Sequence, residues 1–529
     1  MEAFVVVRTT LKADIIIIGG SIGGTIAALS AAKMNKKVIM TEETKWIGGQ
    51  VTSQGVPPDE HQWIESFGCT ATYREFRNRV REYYKQNYPL TEKARNQNRL
   101  NPGDGWVSRL CHEPKVALTV LQDMLAPYVS NGKIQLYTEM KAVHAESDGD
   151  FVQSVTVRNL VTGNETILLG HYFLDATECG DVLPLAGVEY VTGAESRAET
   201  GELHAPAEPS PMDMQPITYV MALDYIEGEN FVIDKPESYD WWREYKAPFL
   251  EHQQLSWYAP DADTGGSKPF RMFNDEEGLG LWEYRRIIDP SLYQPGFYEG
   301  DISLINWPQN DYWLGSIIDV TEEERAKHIE GAKQVSLSLL YWLQTEAPRV
   351  DGGNGYPGLR LRSDVLGTSD GLAMYPYIRE SRRIKAQFTV VEEHINADTR
   401  GDQGIQRYED TIGIGCYRID LHPTIVTNSF FYAKSLPFEI PLGSLLPIRV
   451  KNLLPACKNI GTTHITNGCY RVHPVEWNIG ESAGYLASFA IDKGVLPTEI
   501  RENESLLREF QELLINQGIE LHWPEIGAI

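Results

Sequence analysis

The sequence predicts an α/β fold that opens with a Rossmann-like βαβ unit. Three observations predict it. An apolar run, Asp14 followed by four isoleucines at 15–18, leads directly into Gly19-Gly20-Ser21-Ile22-Gly23-Gly24. A small-residue helix pattern then runs over 25–33. A second apolar run at 38–40 is closed by Glu42 and Glu43. Strand, tight turn, helix, strand and acid form the first unit of a dinucleotide-binding sheet.

Each part has a physical task. Gly19 permits the tight turn, and Gly24 lets helix and strand pack closely. The helix start offers free N–H groups and a positive dipole end to a diphosphate. The acid can hydrogen-bond a ribose hydroxyl. Ser21 stands where the motif usually has its second glycine, so Gly20 or Gly23 is expected to supply the clearance. Gly353-Asn-Gly-Tyr-Pro-Gly358 matches the motif by spelling, but it has no strand before it and reads as a loop.

Further elements follow in order. Residues 70–88 read as a basic, aromatic helix, and 114–128 as a helix with Val116, Val120, Leu121 and Leu125 on its apolar positions. Short strands are expected at 134–138, 142–143, 152–158 and 166–169, a β-meander that interrupts the nucleotide-binding sheet. Residues 172–177 read as a late strand of that sheet. A polar, proline-rich stretch over 195–216 marks a domain boundary. From 217 to 438 the pattern is irregular, except for a capping box at Thr321 and Glu324 that opens a helix to Thr345. Near the end, 452–456 reads as a strand and 474–491 as a helix with small residues at Gly480, Ala483, Gly484 and Ala487.

Composition narrows the function classes. The 529 residues suggest two or three folding units. With 48 basic and 73 acidic residues the formal charge is −25, which argues against nucleic acid and anionic membranes as partners. Six cysteines, none in a C-x-x-C pair, argue against a redox disulfide or a zinc site, and no metal is expected. No signal peptide or spanning segment is recognisable, so a cytoplasmic protein is expected.

The combination resembles the FAD-dependent oxidoreductase family, a branch of the glutathione-reductase-like flavoproteins distantly related to fumarate reductase. The carrying residues are the turn at 19–24 with Glu42, Leu174-Asp-Ala-Thr177 with Gly180-Asp181, Tyr377-Ile-Arg-Glu-Ser-Arg-Arg383, and the segments 452–464 and 471–484. Glu178 and Cys179 depart from the family's DATGDGD spelling. The resemblance implies a split architecture, with 1–205 and 439–529 forming one FAD-binding domain and 206–438 an inserted α+β cap. It implies FAD as cofactor. Contacts would come from Gly19, Gly20, Ser21, Gly23, Gly24, Glu42, Glu43, Gly48, Gly49, Gln50, Met140, Ala176, Thr177, Asp181, Glu476, Asn478 and Gly480.

Hydride transfer to a flavin needs a base and a substrate clamp. His464 and His473, with Arg471 between them, crowd the segment before the last long helix and are the candidate catalytic residues. Arg379 and Arg383, with Arg382, form a basic cluster in an acidic chain, either a clamp for a carboxylate or phosphate or a set of internal ion pairs. Arg418, Asp420 and His422 alternate, so on a strand they share one face. His61 is a candidate to contact the flavin, and Cys69 and Cys111 read as buried thiols. The expected activity is oxidation of a small polar metabolite, with an electron acceptor such as oxygen and a homo-oligomer as partners. The alternatives are a tailoring enzyme acting on an elaborate substrate and a non-catalytic FAD sensor.

Overall fold

The computed structural model describes residues 8–261, 264, 266–273 and 279–528. Its centre is a five-stranded parallel sheet. Chain order gives β1 (Ile15–Ile18), α1 (Ile22–Lys33), β2 (Val38–Thr41), α2 (Ala71–Asn87), α3 (Pro114–Ser130), β3 (Ile134–Tyr137), β4 (Tyr172–Asp175), α4 (Glu322–Thr345), β5 (Leu453–Pro455), α5 (His464–Tyr470) and α6 (His473–Lys493). The sheet order is β5-β4-β1-β2-β3, so strands from both chain ends lie side by side. The near-continuous isoleucine run of β1 suits a strand buried on both faces.

Three strands, Met140–Asp148, Phe151–Asn159 and Glu165–Leu169, form a meander between β3 and β4 as expected, and Arg8–Lys12, which precedes β1, joins its edge in parallel with Glu165–Leu169. α1 is buried along almost its whole length and packs on α6. That contact requires small residues. A Cβ on Gly480 would lie 2.1 Å from the Gly23 carbonyl oxygen, and one on Gly484 would lie 2.4 Å from that of Ala27.

A second hydrophobic core is contributed mainly by residues 214–378. There α4 lies with a four-stranded sheet, and its capping box forms as expected: Thr321 Oγ1 accepts from the Glu324 N–H at 3.2 Å. The main core also takes residues from within 206–438, among them Val220, Ile287, Leu304, Ile395, Ile412 and Ile419. Strand Thr411–Gly415 packs against α6, and Ile419–Leu421 against α5.

Candidate active site

The C-terminal ends of β1, β2 and β4 frame a cavity lined by Gly19, Glu42, Glu43, Met140, Thr177, Glu178 and Asp181. Ligands of open α/β sheets bind at this edge. Gly19 has φ +98°, and a Cβ there would sit 2.3 Å from the Ala176 carbonyl oxygen. Only glycine serves at such a turn.

The departure at position 21 has a local reason. Ser21 is the N-cap of α1, its Oγ accepting from the Gly24 N–H at 3.2 Å. Gly23 does not supply clearance for a diphosphate. It faces β5, where a Cβ would lie 1.8 Å from the Ala456 carbonyl oxygen. Glu42 holds the turn itself: its carboxylate accepts from the Gly20 N–H at 2.8 Å and from the Thr44 N–H and Oγ1 at 2.8 and 2.7 Å. Burial pushes its carboxyl up to about 7 against those hydrogen bonds. Asp175 does the same for the next turn, accepting from Thr177 and Val182, and burial lifts it to about 7.

Several expected contacts change role. Ala176 lies behind the Gly19 turn. Gly480 is a helix-packing residue against Gly23. Asn478 faces the other side of α6, where its Oδ1 accepts from the Ile414 N–H at 3.0 Å and its Nδ2 donates to Ser482. The helical period explains this, since 476 and 480 share a face that 478 does not. Gly48 (φ +101°) and Gly49 (φ +47°) shape the loop that brings Gln50 inward. Gln50 Nε2 donates to Glu476 at 2.7 Å and to the Arg471 carbonyl at 3.0 Å.

Beyond Gln50 lies a packed cluster of buried polar side chains, the arginine chamber. Tyr377 is at its centre. Arg471 donates to the Tyr377 hydroxyl at 3.1 Å, and the Arg379 guanidinium lies 5.1 Å from the Tyr377 ring centre. Arg285 adds a third guanidinium, 3.4 Å from Asp59. All three arginines are buried, and each Nε–H has no hydrogen-bond partner among the described residues. Asp311 joins Arg379 to His422: one oxygen is 2.9 Å from Arg379, and the other meets His422 Nδ1 at 2.7 Å. Burial works against the Asp311 charge, but Arg379 and His422 hold its carboxyl below the ordinary range. His422 Nε2 points towards Asp420, 3.9 Å away.

Sequence reasoning placed His422 and Asp420 on one strand face but had no signal for Arg285, Asp59 or Asp311. Those residues come from distant segments and meet only in the folded chain.

The remaining candidates separate. His473 is in this neighbourhood, accepting at Nδ1 from the Asp59 N–H at 3.0 Å, and burial lowers its imidazole to about 4. His464 is elsewhere. Its Nδ1 lies 2.9 and 3.0 Å from the two oxygens of Glu380, and Glu195 accepts from its N–H. Burial opposes its charge, yet Glu380 more than offsets this and raises its pKa. Arg383 completes that buried cluster through Glu380, Glu195 and the Gly193 and Thr462 carbonyls. The clamp reading therefore fails for Arg383, whose guanidinium is committed to its own chain. Arg382 likewise pairs with Asp181 and Asp319.

His61 is locked between the Trp63 N–H and the Gly68 carbonyl, with its ring against Trp523. It does not face the cavity. The six cysteines are all buried and unpaired with one another, and burial pushes Cys69 and Cys111 up to about 12. Among the described residues no helix is long and apolar enough to cross a membrane.

No curated protein matches the chain. Solved structures do, at low similarity. L-proline dehydrogenase from P. horikoshii is 16% identical over 36% of this chain and 25% of that one, TM-score 0.19. The rebeccamycin biosynthetic enzyme RebC is 13% identical over 41% and 39%, TM-score 0.23. A geranylgeranyl bacteriochlorophyll reductase-like protein from Thermoplasma acidophilum is 11% identical over 96% and 85%, TM-score 0.31. The alignments thus span well under two thirds of the first two proteins. The family model for FAD dependent oxidoreductases matches residues 14–514, almost the whole chain, and the chain belongs to that family.

Proposed function

We propose that this FAD-dependent oxidoreductase oxidises a small polar metabolite that carries a carboxylate, and that His422 takes the proton released. The observation that carries the reading is the set of three buried arginines around Tyr377, each with an unpartnered Nε–H. A guanidinium donates to a carboxylate with a fork geometry that lysine lacks.

The residues present fit FAD. The glycine turn, the cavity at the sheet edge, and the buried oxygens Gln50 Oε1 and Glu476 Oε1, which have no partner among the described residues, suit an adenine dinucleotide. Gly19, Glu42, Glu43, Met140, Thr177 and Asp181 would hold its adenosine part, and Gly49 and Gln50 the portion nearer the chamber. Bound FAD supplies two-electron chemistry by accepting a hydride.

The chain's own part is binding, orientation and proton transfer. Arg379, Arg471 and Arg285 would orient the substrate carboxylate. Asp311 fixes His422 by its hydrogen bond at Nδ1, leaving Nε2 as the proton acceptor. His473, held near-neutral by burial, orients the Asp59 backbone and stays uncharged at pH 7.

One observation favours an elaborate substrate instead. A surface cleft is lined by His61, Asn101, Trp106, Arg109 and Tyr417, and the Trp106 ring lies tilted with its centre 4.3 Å from that of Tyr284. Anaerobic bleaching of the flavin band by a panel of 2-hydroxy acids, amino acids and dicarboxylates, each beside its methyl ester, separates the readings. The proposal expects bleaching by free acids and little by esters. Equal bleaching by esters, or bleaching by large aromatic compounds alone, would overturn it.

A further inference from the structure

The diphosphate of FAD is a dianion, yet the cavity that suits the cofactor is acidic. Glu42, Glu43, Glu178 and Asp181 line it, with Lys141 as the cation in the lining. Lys141 lies 3.5 Å from Glu43, and Asp181 is held by Arg382. Ser21 already takes the Gly24 N–H at the head of α1. Fewer helix N–H groups remain for an anion than a glycine at 21 would leave.

What stands at the head of α1 is a carboxylate. A Cβ on Gly49 would lie 2.4 Å from Glu178 Oε1, 3.1 Å from Ser21 Cα and 3.4 Å from the Ile22 nitrogen. These atoms therefore converge on one spot. Glu178 Oε1 is buried and has no hydrogen-bond partner among the described residues. Its other oxygen, Oε2, is paired with Lys458 Nζ, which also lies 3.5 Å from Glu476 Oε2. The pairing follows from the topology. Glu178 leaves the end of β4 and Lys458 the end of β5, and the two strands are neighbours in the sheet. Both ends open towards the α1 N-terminus, where an anion is favoured by the dipole.

We propose that Lys458 is the side-chain cation for the FAD diphosphate, and that Glu178 stands in for that anion until the cofactor displaces it. The ammonium exchanges one oxygen partner for another, and Glu178, which also lines the cavity, swings aside. Glu476 remains on Lys458 and keeps it in place. This arrangement accounts for a lysine buried to 1% exposure between two acids at the sheet edge, where a purely structural ion pair is often no better than apolar packing.

The test is the affinity of apoprotein for FAD, for ADP and for riboflavin, which lacks the diphosphate, by quenching of flavin fluorescence and by ADP competition. Lys458→Met should weaken FAD and ADP by about 30-fold or more, as for other buried charge contacts, and leave riboflavin unchanged. Lys458→Arg should recover most of the loss. Glu178→Gln should tighten FAD several-fold by removing the competitor. Should Lys458→Met fail to fold because Glu178 is left unpaired, the double variant Lys458→Met with Glu178→Gln removes both charges and should still bind FAD and ADP weakly. Undiminished FAD affinity in Lys458→Met or in the double variant, or equal loss of FAD and riboflavin, would overturn the proposal.

Discussion

The cofactor cavity and the arginine chamber are built in opposite ways. The cavity comes from a turn, an N-cap and strand ends, with lining drawn from 18–19, 42–53, 140–142, 177–181 and 375 around the glycine turn. Backbone does much of its work, through Gly19, Gly23 and the Gly20 N–H on Glu42. The chamber is made of side chains brought from 59, 285, 311, 377–379, 420–422 and 471. Its guanidinium Nη groups are taken by carboxylates, hydroxyls and the Pro57, Pro216 and Asp420 carbonyls, whereas the three Nε–H groups have no partner among the described residues. A backbone site tolerates little change of shape, whereas a side-chain site tolerates change of shape but not of charge.

The largest effect should follow from breaking the backbone side. Gly23→Val drives a side chain into the Ala456 carbonyl, where neither neighbour is a flexible side chain. We expect a loss of more than about 3 kcal/mol and little folded holoprotein, read by thermal unfolding. Breaking the chamber should lower the melting temperature, because buried Asp311 loses its cation, and spare the colour. Arg379→Met should keep FAD and lower kcat/KM about 100-fold, the size expected for losing a buried charged contact.

Protons should separate the regions by sign. On the cofactor side, burial raises Glu42 and Asp175 to about 7. The folded apoprotein then binds more protons than the unfolded chain above the ordinary carboxyl range. Their contribution is present at low pH and is lost as pH rises to about 7. Near the chamber, burial lowers His112 and His473 to about 4. There the unfolded chain binds more protons, so stability is lost as pH falls from about 6.5 to about 4. Glu42→Gln should flatten the first slope and His112→Phe the second, each by up to about 3 kcal/mol in unfolding measured against pH. The smallest effect belongs to Gly20→Ala. Its Cβ would meet Glu42 and Ile47 side chains at 3.0–3.2 Å, and these can give, so a cost within about 1 kcal/mol is expected.

The same contrast explains what the sequence revealed. The βαβ unit, the meander, the late strand and the capped helix after Thr321 are local patterns, and period and turn chemistry expose them. Local pattern and cavity lining coincide at Gly19, Glu42 and Thr177. Elsewhere proximity in sequence misled. His464, Arg471 and His473 are near in the chain, but α5 ends at Tyr470, and the turn into α6 sends His464 to Glu380 and His473 to Asp59. Arg379, Arg382 and Arg383 likewise leave one segment in three directions, to Asp311, Asp181 and Glu195. Asp311 carried no motif, since its importance lies in pairing with His422 across the fold. Lys458 carried none either, because its partner Glu178 is 280 positions away.

The most direct test sets His422 against His464 in the rate of anaerobic flavin bleaching by an active carboxylate. His422→Gln should retain FAD and slow bleaching by about 100-fold or more. His464→Asn should melt lower, because Glu380 loses a partner, yet bleach within about threefold of the parent rate. Slow bleaching in His464→Asn with an unimpaired His422→Gln would place the chemistry in the other cluster and contradict the assignment of the chamber.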